Sequence, residues 1–261
     1  MQNKPAEEIV PLKTVQEVLN WVPAENEQRA FESQAERSQY YLAGNEWANT
    51  NKSWESLLAT KLAKEDRTRP KTLVCHDMMG GYLQDRFVDG CDEDGYHFRH
   101  WNQVDYFVYF SHHFLTIPPP GWVAAARLHG VQVLGTIITE WDTGQEMLEE
   151  ILADNEKLNK FVNVCVKIAA IHGFHGWLLN IENPVQPELI PSLLKLVETL
   201  TGAIKRELGG RGTVLWYDSV TVKGRADNII FNFERLLTVR TTALVDVILS
   251  PVLFFLSTKT S

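Results

Sequence analysis

Gly176-Trp177-Leu178-Leu179-Asn180-Ile181-Glu182-Asn183 is the stretch from which the fold is read. It is apolar almost throughout rather than alternating, the pattern of an extended strand buried on both faces. Helical spacing flanks it on either side. Phe161, Val164, Cys165, Ile168 and Ile171 precede it, and Ile190, Leu193, Leu194, Val197, Leu200, Ile204 and Leu208 follow. Both sets repeat at three to four residues, the period of one helix face. Pro191 fits the first helical turn, where its missing N–H costs nothing, and Gly209-Gly210 stops the helix. A strand between two helices is the unit of a parallel α/β sheet.

Working outward, four more runs have the same texture. Thr72 to His76 is a short apolar strand closed by a glycine turn at Gly80-Gly81. Val104 to Phe110, Val131 to Ile138 and Thr213 to Tyr217 are the others. The order predicts a (β/α)₈ TIM-barrel type of fold, incomplete, with about five of eight strands recognisable. On pattern alone a doubly wound sheet stays open. Residues 1–70 read as a leader, partly helical and partly loose. In it Val15, Val18, Leu19 and Val22 keep helical spacing, whereas Glu25 to Arg69 is polar. Residues 71–224 form the partial barrel, and 225–261 a divergent apolar tail.

Composition narrows the function. A net charge of −8 argues against nucleic acid and anionic membrane as partners, since phosphate binding needs clustered Lys and Arg. Cys75, Cys91 and Cys165 match no metal or redox spacing, and Cys75 and Cys165 sit on apolar faces as small buried hydrophobes. Met1 to Pro11 contains no apolar h-region, so a cytosolic chain is expected, and the Asn51-Lys52-Ser53 sequon carries little weight. The apolar run Ala243 to Leu256 is too short, and too interrupted by Asp246 and Pro251, to span a bilayer. Gly80-Gly81 lacks the Lys-Ser/Thr of a phosphate loop. Neither a metal nor a cofactor is expected.

Chemistry concentrates on the opening stretch. Side chains alternate along a strand, so Leu178, Asn180 and Glu182 share one face, and Leu179 and Ile181 the other. A carboxylic acid beside an amide suits glycoside cleavage in which the substrate's own 2-acetamido oxygen attacks the anomeric carbon. The acid protonates the leaving oxygen while the amide orients the acetamido group, and no second carboxylate nucleophile is needed. Alone, Asn180 and Glu182 read better as strand-end polar contacts that cap the next helix.

They do not stand alone. Cys75 to Tyr82, Phe107 to His113, Leu134 to Trp141, the Asn180/Glu182 strand and Val214 to Ser219 follow one another in order. Over roughly Arg69 to Gly224 the chain resembles the cytosolic endo-β-N-acetylglucosaminidases of glycoside hydrolase family 85. The resemblance implies hydrolysis of the GlcNAc-β-1,4-GlcNAc core of N-glycans, on glycoproteins or free oligosaccharides. It implies Glu182 as general acid/base, Asn180 as the group that orients the acetamido nucleophile, and Tyr217 as a second positioning group. Trp141 and Trp216 end strands, where an indole walls a glycan cleft or packs into the core. His112 and His113 are read on opposite faces of one strand, too divergent to grip a metal together. His76 and Asp77 line the site floor or brace the Gly80-Gly81 turn. A chitinase-like reading would place Asp where Asn180 stands.

After Gly224 the resemblance ends. The 37 residues from Arg225 to Ser261 are fewer than the roughly 100 that three further strand–helix units take. A truncated product is therefore expected, and a catalytically inactive glycan-binding or non-functional isoform is the alternative reading.

Overall fold

Thr72–Asp77 (β1), Tyr106–Phe110 (β2), Gln132–Thr139 (β4), Gly176–Ile181 (β5) and Thr213–Tyr217 (β6) form one parallel sheet. The computed structural model describes residues 8–23, 71–77, 80–86, 98–217 and 253–256. The polar stretch Glu25 to Arg69, Cys91, Ser219 and the tail up to residue 252 lie outside the described residues. A two-residue strand, Leu115–Thr116 (β3), pairs antiparallel with β4 and was not foreseen. The last described strand, Leu253–Leu256 (β7), lies parallel to β1, so the spatial order is β6-β5-β4-β2-β1-β7. Successive parallel strands lie side by side in chain order from β1 to β6, as in a barrel wall and unlike a doubly wound sheet.

Helices cover one face. Pro120–Leu128 (α2), Trp141–Leu152 (α3), Asn155–His172 (α4) and Ile190–Leu208 (α5) bury their apolar stripes against it. Asp154 caps α4 by accepting from the Glu156 and Lys157 amides at 2.8 and 3.3 Å, and Pro191 sits in the first turn of α5. Trp177, Tyr109, Phe107, Phe161 and Phe174 fill the space between sheet and helices, all fully buried. The opposite, inner face carries a smaller cluster of Leu73, Cys75, Tyr106, Val108, Leu134 and Leu178. Cys75 and Cys165 are buried free thiols, and burial pushes the Cys75 thiol up to about 12.

Where β5 meets β6 the strands approach so closely that only glycine fits. Gly176 has φ 139°, and a Cβ there would fall 1.9 Å from the Thr213 carbonyl oxygen. This contact fixes the register that sets Asn180 beside Tyr217.

The N-terminal helix, Val15–Leu19 (α1), starts on the Thr14 hydroxyl, which accepts from the Glu17 amide at 3.1 Å. It ends before Val22, which is exposed; Pro23 follows, and a residue before proline disfavours the helical region. This segment docks on the core. Ile9, Val15, Val18 and Leu19 are buried, Leu12 bridges to Leu115, and the Trp21 ring lies 6.0 Å from that of His172.

Candidate active site

The carboxyl ends of the parallel strands gather the polar groups. On β5 the alternation holds: Leu178 belongs to the inner cluster, whereas Leu179 and Ile181 belong to the helix-side core. Asn180 is buried at the inner mouth, and its Nδ2 donates to Glu182 Oε1 at 3.0 Å. That pairing turns Asn180 Oδ1 the other way, where it finds no partner among the described residues. A buried carbonyl oxygen without a donor is costly, and an acetamido N–H of a bound sugar would satisfy it. Glu182 follows β5 directly, is exposed, and is tied to β4 through its amide, which donates to the Thr139 carbonyl at 3.1 Å.

Tyr217 ends β6 in register with Asn180 and is 40% exposed. Its parity is that of Leu215, which packs on the inner cluster, so it belongs to the same mouth. Trp216 has the opposite parity. It pairs with Leu179 and packs against the helix-side core, so strand alternation favours the core over the cleft wall, the two readings left open for it.

His76 is corrected in the same way. Leu73 and Cys75 point inward, so His76 points outward and is fully buried, its ring 4.6 Å from Trp122 and 5.4 Å from Phe107. Burial lowers its pKa to about 4, against an opposing pull from Asp85 and Asp77, which leaves a neutral core imidazole.

β2 ends at Phe110, so His112 and His113 lie beyond it and share no strand. His112 swings across the mouth. Its Nδ1 is 3.1 Å from Glu140 Oε2 and its Nε2 is 3.9 Å from Asp77 Oδ2, which links the ends of β1, β2 and β4. Glu140 was not singled out from sequence; its only signal was its place beside Trp141 after an apolar strand.

Trp141 is 83% exposed, more than any other large hydrophobic side chain among the described residues. Its φ is 56°. For a non-glycine residue this left-handed backbone costs about 1–2 kcal/mol. Asn183, buried, donates from Nδ2 to the Trp141 carbonyl at 2.8 Å. Among the described residues no group of three or more His, Cys, Asp or Glu is arranged to hold a metal. No described helix is long and apolar enough to cross a membrane.

Known proteins match this frame. The family model of Glycosyl hydrolase family 85 matches residues 82–228. Cytosolic endo-beta-N-acetylglucosaminidase 2 of Arabidopsis thaliana is 48% identical over 157 residues, covering 60% of this chain and 22% of that protein. The Mus musculus cytosolic endo-beta-N-acetylglucosaminidase is 48% identical over 159 residues, again 60% and 22%. That of Gallus gallus is 41% identical over 195 residues, 71% of this chain and 27% of that one. The match thus spans about a quarter of the length of these relatives. Among solved structures, the glycoside hydrolase domain of Endo-D from Streptococcus pneumoniae superposes with a TM-score of 0.57 at 17% identity, over 85% of this chain and 33% of that one. At that identity it is the fold that is shared: a glycosidase barrel, represented here by part of its wall. With the matched region spanning Asn180, Glu182 and Tyr217, the chain belongs to glycosyl hydrolase family 85.

Proposed function

We propose that the chain carries the acid/base machinery of an endo-β-N-acetylglucosaminidase, which hydrolyses the GlcNAc-β-1,4-GlcNAc core of N-glycans on glycoproteins or free oligosaccharides. The observation behind this reading is the 3.0 Å contact between Asn180 Nδ2 and Glu182 Oε1 at the inner mouth. Glu182 is the proton donor to the glycosidic oxygen. As the C–O bond breaks, the substrate's acetamido oxygen closes on the anomeric carbon to give an oxazolinium ion, its N–H retained, which water then opens. Asn180 Oδ1 accepts the acetamido N–H and orients that oxygen for attack. Tyr217, in register beside it, positions the same group. Glu182, having lost its proton, takes one from the incoming water. Trp141 offers a pyranose face a stacking surface, and His112, braced by Glu140, offers a hydrogen bond to a sugar hydroxyl at the rim.

Relatives named as cytosolic enzymes support a cytosolic site of action. Residues 71–224 form the catalytic segment, with 1–70 and 225–261 flanking it. A second reading rests on the short match, about a quarter of the relatives' length: a piece that binds glycan without turning it over. One assay separates the two. The purified chain is incubated with a labelled high-mannose glycopeptide, and the peptide product is weighed by mass spectrometry. A peptide retaining a single GlcNAc supports hydrolysis. Glycopeptide bound but intact supports the second reading, and neither outcome sinks both.

A further inference from the structure

Asn183 follows the candidate acid directly in sequence, yet it turns away from the cleft and is 95% enclosed by protein, being only 5% exposed. Its amide crosses from the end of β5 to the end of β4, where Nδ2 donates to the Trp141 carbonyl at 2.8 Å. Space for that crossing is cleared by Gly144 on the first turn of α3. A Cβ at Gly144 would sit 3.0 Å from Asn183 Oδ1 and 2.9 Å from the Thr139 carbonyl carbon. What the amide holds is an unfavourable conformation, since Trp141 has φ 56°. Packing does not hold the indole either, because the side chain is 83% exposed. The direction of the indole is therefore set by its backbone, and its backbone by Asn183.

We propose that Asn183 is a positioning residue that fixes the Trp141 indole at the cleft mouth. One loop would then carry both the proton donor and the anchor of the stacking surface. The inference rests on the functional reading above for its consequence, but its mechanical half stands apart from it. Without the amide anchor, Trp141 relaxes toward an ordinary φ and the indole swings out of register with Glu182. The sugar ring that it faces loses its platform, while the acid and its Asn180 partner stay where they are. The loss thus falls on substrate binding rather than on proton transfer.

The test is a double-mutant cycle with a readout independent of turnover. Asn183→Ala is expected to raise KM about fivefold, the worth of one neutral hydrogen bond, and to change kcat by less than about twofold. In a Trp141→Ala background the same change should add nothing, because the residue it acts through is gone. Additive losses, or a fall in kcat with KM unchanged, overturn the proposal. Isosteric Asn183→Asp keeps the side-chain size, offers no N–H, and serves if the alanine variant does not fold. In parallel the chain is labelled with 5-fluorotryptophan, and the Trp141 resonance is identified by its loss in Trp141→Phe. Removal of the Asn183 donor should shift or split that resonance, and an unmoved one overturns the proposal. If the parent chain does not cleave glycopeptide, the functional reading fails, and the fluorine spectrum alone decides the positioning role.

Discussion

The helix side of the sheet packs Trp177, Tyr109, Phe107 and Phe161 out of reach of solvent, whereas the inner side has one modest cluster around Leu134 and Leu178 that gives way to polar groups at the strand ends. The same strands build both sides. On β5, Trp177, Leu179 and Ile181 brace the helices while Leu178 and Asn180 face inward. The packed core and the candidate site are thereby separated by a single step along the chain. His76 and Trp216 belong to residue types that usually announce a site, and both fall on the structural side.

The comparison breaks most visibly at Trp177. Its indole is fully buried, and its Nε1 donates to the Cys165 carbonyl at 3.3 Å. Trp177→Ala should cost about 3–5 kcal/mol in denaturant melts, because a large cavity opens under α4. A loss under about 1 kcal/mol would mean that the helix side is not the main stabilising layer. Glu182→Gln should do the reverse. Turnover should fall at least about a hundredfold, the usual contribution of general acid–base transfer, with the melting temperature moving less than about 3 °C. Turnover near the parental rate removes Glu182 from the role of acid.

Acid tests the helix side by another route. Burial lowers the pKa of His76 and His172 to about 4 and of His175 to about 3, and the His175 Nδ1 accepts from the Val133 amide at 3.0 Å. The unfolded chain takes up these protons near 6.5 and the folded chain does not, so their stabilisation is complete above pH 6.5 and lost as pH falls toward 4. Each such group costs about 1.4 kcal/mol per pH unit well below 6.5. Melting temperature should hold above pH 7 and drop steeply between pH 6 and pH 4. A flat profile across that window contradicts neutral, buried imidazoles. The smallest expected effect sharpens the inner side. Asn180→Asp should slow natural-glycan hydrolysis about tenfold or more, and less with an oxazoline donor, in which the acetamido group is already activated. Equal losses with both donors would count against a substrate-assisted route.

Much of this was legible beforehand. Thr213–Tyr217 was foreseen to the residue, and β1, β2, β4 and β5 within a residue or two, because continuous apolar runs between helical repeats admit few alternatives; β7 falls in the tail, where no strand was placed. The shared face of Asn180 and Glu182 followed from period-two geometry, and their 3.0 Å contact agrees with it. The side on which His76 falls could not be read, since Leu73, Val74 and Cys75 are apolar on both parities and nothing marks which one looks inward. His112 lies past the last paired residue of its strand, where alternation no longer applies, and its contact with Glu140 joins loops 28 residues apart. β3 is two residues long, too short to leave a periodic signal. The docking of α1 was hidden because an amphipathic stripe names a buried face but not its partner.

That docking also has a time axis. Ile9, Val15, Val18 and Leu19 leave the ribosome before their partners, since the strand that bridges Leu12 lies near residue 115 and the ring beside Trp21 is that of His172. At about 5–20 residues per second, the first of these partners is made some 5–20 s later and the second later still. Throughout that interval the surfaces around Leu115 and His172, against which this segment closes, have not been made. Until the strands that receive it have been translated, the amino-terminal segment is a client for any chaperone that reads exposed hydrophobic residues, and its docking belongs among the late events of folding.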